Sequence, residues 1–195
     1  MEDNKNYKII TIPNMLSILR LVLVVVFALL YDNDNSFSEN VPALLVLLVS
    51  GITDFLDGRI ARRYNMISEV GKILDPIADK VTEAVIAICL WEKYALMKVM
   101  FIVLVIKEIF MCVSGAIVIK ITKINNGAKW FGKVSTFIFY IVTICLLLLP
   151  RIKNIYANTL IWICIFFMLF SLVMYAATYI KMLKDFYSSD KKISE

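Results

Sequence analysis

Four aspartates, Asp54, Asp57, Asp75 and Asp79, fall within 26 residues of a chain that is 61% hydrophobic, and apolar runs flank them on both sides. A carboxylate near the centre of a membrane helix costs ~2.5 kcal/mol or more on insertion scales, so such groups persist where a cation or a water-filled site compensates them. Asp54 and Asp57 are three residues apart and Asp75 and Asp79 four apart. On helices, each pair projects from one face. Two such pairs facing each other would form a four-carboxylate cage for hard divalent cations, which prefer oxygen ligands. Proton transfer is the second chemistry open to these groups. The chain has no His at all, which removes imidazole acid–base catalysis, His-based triads and zinc–imidazole sites and leaves carboxylates, Lys and Tyr. Cys89, Cys112, Cys145 and Cys164 stand singly in apolar runs, with no CxxC spacing. They read as packing residues.

The elements that must position the aspartates are apolar segments of near bilayer-spanning length. The 195 residues read as one all-α integral membrane domain, 1–195, with no cleaved signal peptide. Residues 1–14 mix charge with Tyr7, Ile9, Ile10 and Ile12, the pattern of an amphipathic segment on the membrane surface. Asn14 is placed to cap a first span over 15–31. Ser17 and Arg20 lie one turn apart near its start, Arg20 either as an interfacial anchor or pointing inward to an anionic ligand. A loop at 32–41 holds acids and no Lys or Arg. A second span is expected from Pro42 into the aspartates, a third over 74–91, a fourth over 96–119, a fifth ending at 149–150 and a sixth over 156–180. Asp75-Pro76 marks either a helix start or a kink in a helix that begins earlier. The tail at 188–195 is expected to be mobile. Assigning the N-terminus, 58–72, 120–133 and the C-terminus to one side places 17 of the 21 Lys and Arg there, counting Arg20, Lys80 and Lys107 near that end of their spans. The positive-inside rule then predicts six spans, both termini cytoplasmic, and the aspartates at the cytoplasmic face. The net charge of +5 is therefore read as topology, not as nucleic-acid binding.

Asp54-x2-Asp57-Gly58-x2-Ala61-Arg62-x8-Gly71-x3-Asp75-x3-Asp79 matches all eight fixed positions of the signature of the CDP-alcohol phosphotransferase family. The chain resembles these integral membrane enzymes, which move a phosphatidyl or similar group from a cytidine diphosphate donor to an alcohol. The resemblance implies six transmembrane helices after a surface helix, Mg2+ or Mn2+ as two ions, and a homodimer in a bacterial cell membrane. It implies that Asp54, Asp57 and Asp75 are metal ligands, and that Asp79 joins the metal site and serves as general base on the acceptor hydroxyl. Donor-binding positions would be Asp57, Gly58, Ala61, Arg62, Gly71 and Asp75. The small residues lack bulk where backbone approaches the nucleotide, and Arg62 suits bidentate phosphate contact.

Within the family, Pro13-Asn14-Met15-Leu16-Ser17-x2-Arg20, Lys107-Glu108 and Gly132-Lys133-Val-Ser-Thr136 resemble elements of phosphatidylglycerophosphate synthases and the related cardiolipin synthases. This favours CDP-diacylglycerol as donor and glycerol 3-phosphate as acceptor, with Arg20, Lys107 and Lys133, and less so Lys129, as candidate acceptor-binding cations. Two departures stand out. Lys107 replaces an Arg, losing a planar fork for phosphate, and a second Arg of that helix corresponds to Gly115 or its neighbours. They leave room for another acceptor, as in cardiolipin or phosphatidylserine synthases. From a different class, the aspartates would suit a non-enzymatic cation-binding protein or transporter. Arg62 argues against it, because a cation pathway has no use for an Arg beside its carboxylates.

Overall fold

The computed structural model describes residues 12–34, 37–63, 71–123 and 129–194, leaving aside the side chains at 12–13, 54–55, 57–63, 72–73 and 189–194. Among these residues there is no strand. Six helices follow one another: α1 (Ile12–Leu30), α2 (Phe37–Arg63), α3 (Gly71–Trp91), α4 (Ala95–Thr122), α5 (Trp130–Leu148) and α6 (Asn154–Ser194). The expected all-α class and helix number hold. Ala95–Thr122, Trp130–Leu148 and Asn154–Ser188 are long and apolar enough to cross a membrane, while Asn14–Leu30 and Phe37–Thr53 are shorter apolar helices. Their outer faces carry exposed Leu29, Leu48, Ile109, Phe137, Phe166 and Val173. Water would penalise such surface by ~25 cal/mol per Å2, and hydrocarbon does not. The chain is a membrane protein.

The helices gather into two compact units, Met1–Lys93 with Leu147–Pro150, and Tyr94–Leu146 with Arg151–Glu195. In the first, α1 packs against both α2 and α3. Its buried residues, Asn14, Ser17, Arg20, Val24 and Phe27, recur at three- and four-residue steps and so form one stripe. The stripe is polar over its first half and apolar over its second. On α2 the buried positions include Ala43, Ser50 and Thr53, small side chains that let helix backbones approach closely.

The ends of these helices differ from the sequence expectations in three places. Asn14 lies inside α1, which starts at Ile12, so it is a buried residue of the first turn and not a cap. Pro42 and Pro76 each fall at the sixth position of a helix, α2 starting at Phe37 and α3 at Gly71. Each therefore removes one intrahelical hydrogen bond just past the turn whose N–H groups have no helical partner anyway. Of the two readings of Asp75-Pro76, the earlier start holds. The third concerns the stretch expected as a loop at 32–41: residues 37–41 already belong to α2, and Asp32 and Asn33 are held by hydrogen bonds. Asn40 accepts from the Asp32 backbone N–H at 3.1 Å and donates to the Asp32 carbonyl at 2.7 Å. Asn33 donates to the Cys89 carbonyl at 2.6 Å, and the Lys93 ammonium donates to the Asn33 carbonyl at 3.0 Å. The loop thus ties the far ends of α1 and α3 together.

In the second unit α4 packs on α6. The start of α5 also meets α6: the Phe131 and Tyr175 rings lie edge to face at 4.6 Å, and the Lys129 backbone N–H donates to the Tyr175 hydroxyl at 3.3 Å. Gly132 sits under the same ring, where a Cβ would lie 3.0 and 3.1 Å from its carbons. Lys123 ends α4 in the left-handed region at φ 57°, its N–H reaching the Ile119 carbonyl. Hydroxyls inside these apolar helices bond back one turn, as Thr122 does to Val118 and Thr143 to Phe139, both at 2.8 Å. The surface segment expected at 1–14 lies outside the described residues up to position 11, and α6 continues as helix through Ser194 across the expected tail.

Candidate active site

Asp75 and Asp79 occupy the first half of α3, four residues apart and on one face. The first turns of α1 present Ser17 and Arg20, three residues apart and also on one face. The two faces meet. The Ser17 hydroxyl donates to Asp75 Oδ1, and Arg20 Nη1 donates to Asp79 Oδ1 as a salt bridge. Both numbers rise together across the contact, so α1 and α3 run in the same direction, as helices separated by one return helix do. A three-residue step rises ~4.5 Å and a four-residue step ~6 Å, and the long Arg20 side chain spans the difference.

The burial of the pair is unequal. Arg20 is 2% exposed and Asp79 43% exposed. Ser17 is fully buried, and Asp75 is half-buried. Holding an arginine out of water costs several kcal/mol unless a carboxylate and further hydrogen bonds compensate it, so Arg20 is fixed from the dry side while Asp79 keeps an open face. Arg20 points inward, as one of its two sequence readings had it, but the group it meets is the Asp79 carboxylate and not an anionic ligand. An anchoring role at the interface is excluded by its burial.

Asp54, Asp57, Gly58, Ala61 and Arg62 all lie on α2, whose helical backbone places Asp54 and Asp57 on one face; their side chains lie outside the described residues. Gly71 opens α3 and is buried. Lys107 and Lys133 belong to the second unit. Lys107 is 3% exposed and its ammonium lies 2.8 Å from Glu108 Oε1, whereas Lys133 is exposed on α5. Gly115, which with its neighbours was expected to stand where a second Arg would fall, faces the Tyr179 hydroxyl, 3.2 Å from where a Cβ would stand.

Sequence reasoning gave no role to three residues of the α1–α3 contact region. Ser17 was legible only as a neighbour of Arg20. Lys80 and Glu83 form an ion pair on α3 at 2.9 Å, and the available signal was their spacing of three residues with Glu83 four residues beyond Asp79. Among the described residues no three His, Cys, Asp or Glu side chains gather into a metal cluster. The donors that the site does offer are carboxylate oxygens, a set that suits Mg2+ or Mn2+ over thiophilic metals.

The chain is similar to known proteins of one family. A family model described as CDP-alcohol phosphatidyltransferase matches residues 10–174. A CDP-diacylglycerol–glycerol-3-phosphate 3-phosphatidyltransferase of Rickettsia typhi is 35% identical over 128 residues, 65% of this chain and 70% of the relative. Its counterpart in Rickettsia bellii is 31% identical over 161 residues, 80% of this chain and 87% of the relative. A CMP-forming cardiolipin synthase of Streptomyces coelicolor is 45% identical over 75 residues, 37% of this chain and 35% of the relative.

Proposed function

We propose that this chain, which belongs to the CDP-alcohol phosphatidyltransferase family, transfers the phosphatidyl group of CDP-diacylglycerol to glycerol 3-phosphate, giving phosphatidylglycerophosphate and CMP. The observation that carries the reading is the clasp of Ser17 and Arg20 on Asp75 and Asp79, which orients two of the motif carboxylates and leaves the Asp79 side chain open on one side. Relatives covering most of the chain bear the name of this reaction.

In this reading the acceptor hydroxyl attacks the phosphorus that carries the diacylglycerol. The new P–O bond forms as the bond to the CMP phosphate oxygen breaks, and Asp79 takes the hydroxyl proton. Arg20 holds Asp79 toward that proton. Asp54, Asp57, Asp75 and Asp79 would hold two Mg2+ or Mn2+ ions, which supply charge neutralisation for the pyrophosphate and the leaving CMP. Gly58, Ala61, Arg62 and Gly71 would line the donor site, with Lys133 and Lys107 as acceptor-side cations. The basic loops support a cytoplasmic side for the site and both termini, and a homodimer in a bacterial cell membrane is part of the same proposal.

A second reading, an acceptor other than glycerol 3-phosphate, is favoured by Lys107. Its ammonium is buried against Glu108, so it brings little free charge to an acceptor phosphate. Both readings are tested by purifying the chain in detergent and following CMP release from CDP-diacylglycerol with Mg2+ or Mn2+, beside Asp79→Asn. Glycerol 3-phosphate, serine, inositol phosphate and phosphatidylglycerol serve as acceptors. Asp79-dependent release with glycerol 3-phosphate alone is expected. Release only with another acceptor refutes the favoured substrate and keeps the class.

A further inference from the structure

The start of α5 gathers two cations without an acid. Lys129 stands where a capping residue would, its carbonyl accepting from the Gly132 and Lys133 N–H groups at 3.2 and 3.3 Å. Its side chain carries donors alone and cannot cap the turn it opens. Lys133 lies one turn on, on the same face, and is exposed. The first turn holds no acid, and no Asp or Glu occurs in the sequence between Glu108 and Asp185. Positive charge at a helix N-terminus is opposed by the helix dipole. This sequence by itself starts a helix poorly.

The support comes from α6. The Lys129 N–H donates to the Tyr175 hydroxyl at 3.3 Å, the Phe131 ring meets the Tyr175 ring edge to face at 4.6 Å, and Gly132 leaves the gap that this side chain fills. Tyr175 is buried. A Phe would pack in the same place without a hydroxyl to satisfy, so what the hydroxyl adds is the bond to the residue that opens α5. Tyr175 is itself braced: the Tyr179 ring lies one turn on at 5.9 Å, and the Tyr179 hydroxyl sits over Gly115 of α4. Two hydrogen bonds in series then lead from Tyr175 to the Lys133 backbone, through the N–H and the carbonyl of Lys129. We propose that Tyr175 is a positioning residue for the acceptor: its hydroxyl fixes the first turn of α5, and through that turn the place of the Lys133 ammonium that meets the acceptor phosphate. The inference rests on the reading above in which Lys133 is an acceptor-side cation. Tyr175 acts through Lys133 and is not itself a ligand of the acceptor.

The test is CMP release by the full chain in detergent at saturating Mg2+ and CDP-diacylglycerol, with glycerol 3-phosphate varied. Tyr175→Phe, Lys133→Gln and the double variant are measured beside the wild type. Tyr175→Phe is expected to raise KM for glycerol 3-phosphate about three- to fivefold, the scale of one neutral hydrogen bond, with kcat nearly constant. In the Lys133→Gln background the same change is expected to raise KM no further, because the two residues act as one unit. A merely structural Tyr175 would lower the unfolding temperature and leave KM unchanged, and that result overturns the proposal. So does a rise in KM that adds in full to that of Lys133→Gln. If Tyr175→Phe does not yield folded protein, Gly132→Ala, which pushes the turn off the Tyr175 side chain, takes its place with the same two expectations. An unchanged KM there also overturns the proposal. Lys133→Gln with the wild-type KM, or wild-type protein that releases no CMP with glycerol 3-phosphate, refutes the acceptor reading itself, and this inference with it.

Discussion

Arg20→Met removes the guanidinium while keeping much of the side-chain length, so it isolates the charge on Asp79 from the packing of α1. Removing one partner of a fully buried ion pair costs about 3–5 kcal/mol. Here Asp79 is 43% exposed and can rehydrate on its open side, so the expected loss of stability is about 1–2 kcal/mol, close to that of one charge-assisted hydrogen bond. For a chain of this size that lowers the unfolding temperature by roughly 2–8 °C. The larger effect is expected in catalysis. With its carboxylate no longer located, Asp79 meets the acceptor hydroxyl less often in line, and misplacement by about 1 Å costs on the order of 100-fold. The expected result is a fall in kcat of roughly 10- to 100-fold with little change in KM for glycerol 3-phosphate, the pattern of an interaction that acts on the transition state. Arg20→Lys, which keeps the charge and loses the planar fork, should fall between. The assay is CMP release at saturating Mg2+ with glycerol 3-phosphate varied. An unchanged kcat with a raised KM would refute the reasoning, because it would make Arg20 a ligand of the acceptor phosphate and not the holder of Asp79.

Ser17→Ala should cost about 1 kcal/mol in stability and weaken Mn2+ binding about tenfold, the usual scale for losing a partner that orients a metal-binding carboxylate; titration calorimetry in detergent measures it. Gly132→Ala places a methyl group 3.0–3.1 Å from the Tyr175 ring and should destabilise by about 1–3 kcal/mol, with thermal unfolding showing partial relief when Tyr175→Phe is added. Gly51→Ala meets nothing within 4 Å inside α2 and should stabilise by up to about 1 kcal/mol through helix propensity with kcat unchanged. Asn40→Ala removes both hydrogen bonds to Asp32 and should cost about 1–2 kcal/mol in thermal unfolding.

The pairing of Asp75 with Asp79 was legible because it lies in local spacing. The four-residue step between Asp75 and Asp79 predicts one face of one helix, and α3 supplies it. The direction of Arg20 was not legible, since an arginine near the start of a span serves equally as an anchor or as an inward ligand. The choice was made by Asp79, 59 residues away in sequence. The same holds for Asn40, whose partner is a backbone eight residues earlier in a loop without periodicity. Gly132 read only as part of a stretch resembling related synthases, and the Tyr175 side chain that it faces, 43 residues on, was not foreseen. The helix start was misjudged at Pro42 and left open at Pro76 because proline marks a boundary by tendency only. Placed at a sixth position, it removes a single hydrogen bond, which apolar packing along the rest of the helix outweighs.

The cap at the far end of α1 and α3 gives the first unit a two-point mounting. At one end Ser17 and Arg20 fasten α1 to α3, and at the other Asn33 and Lys93 fasten the chain leaving α1 to the end of α3. A rod held at both ends cannot slide by a helical turn of ~5.4 Å without releasing both mounts. The alignment of Asp75 and Asp79 is therefore set partly from the far end of the helix pair, some 20 Å or more along α1. A lesion in the 32–40 loop acts on the carboxylates as a loosened bearing acts on a shaft, by play at the working end with every part of the working end still in place.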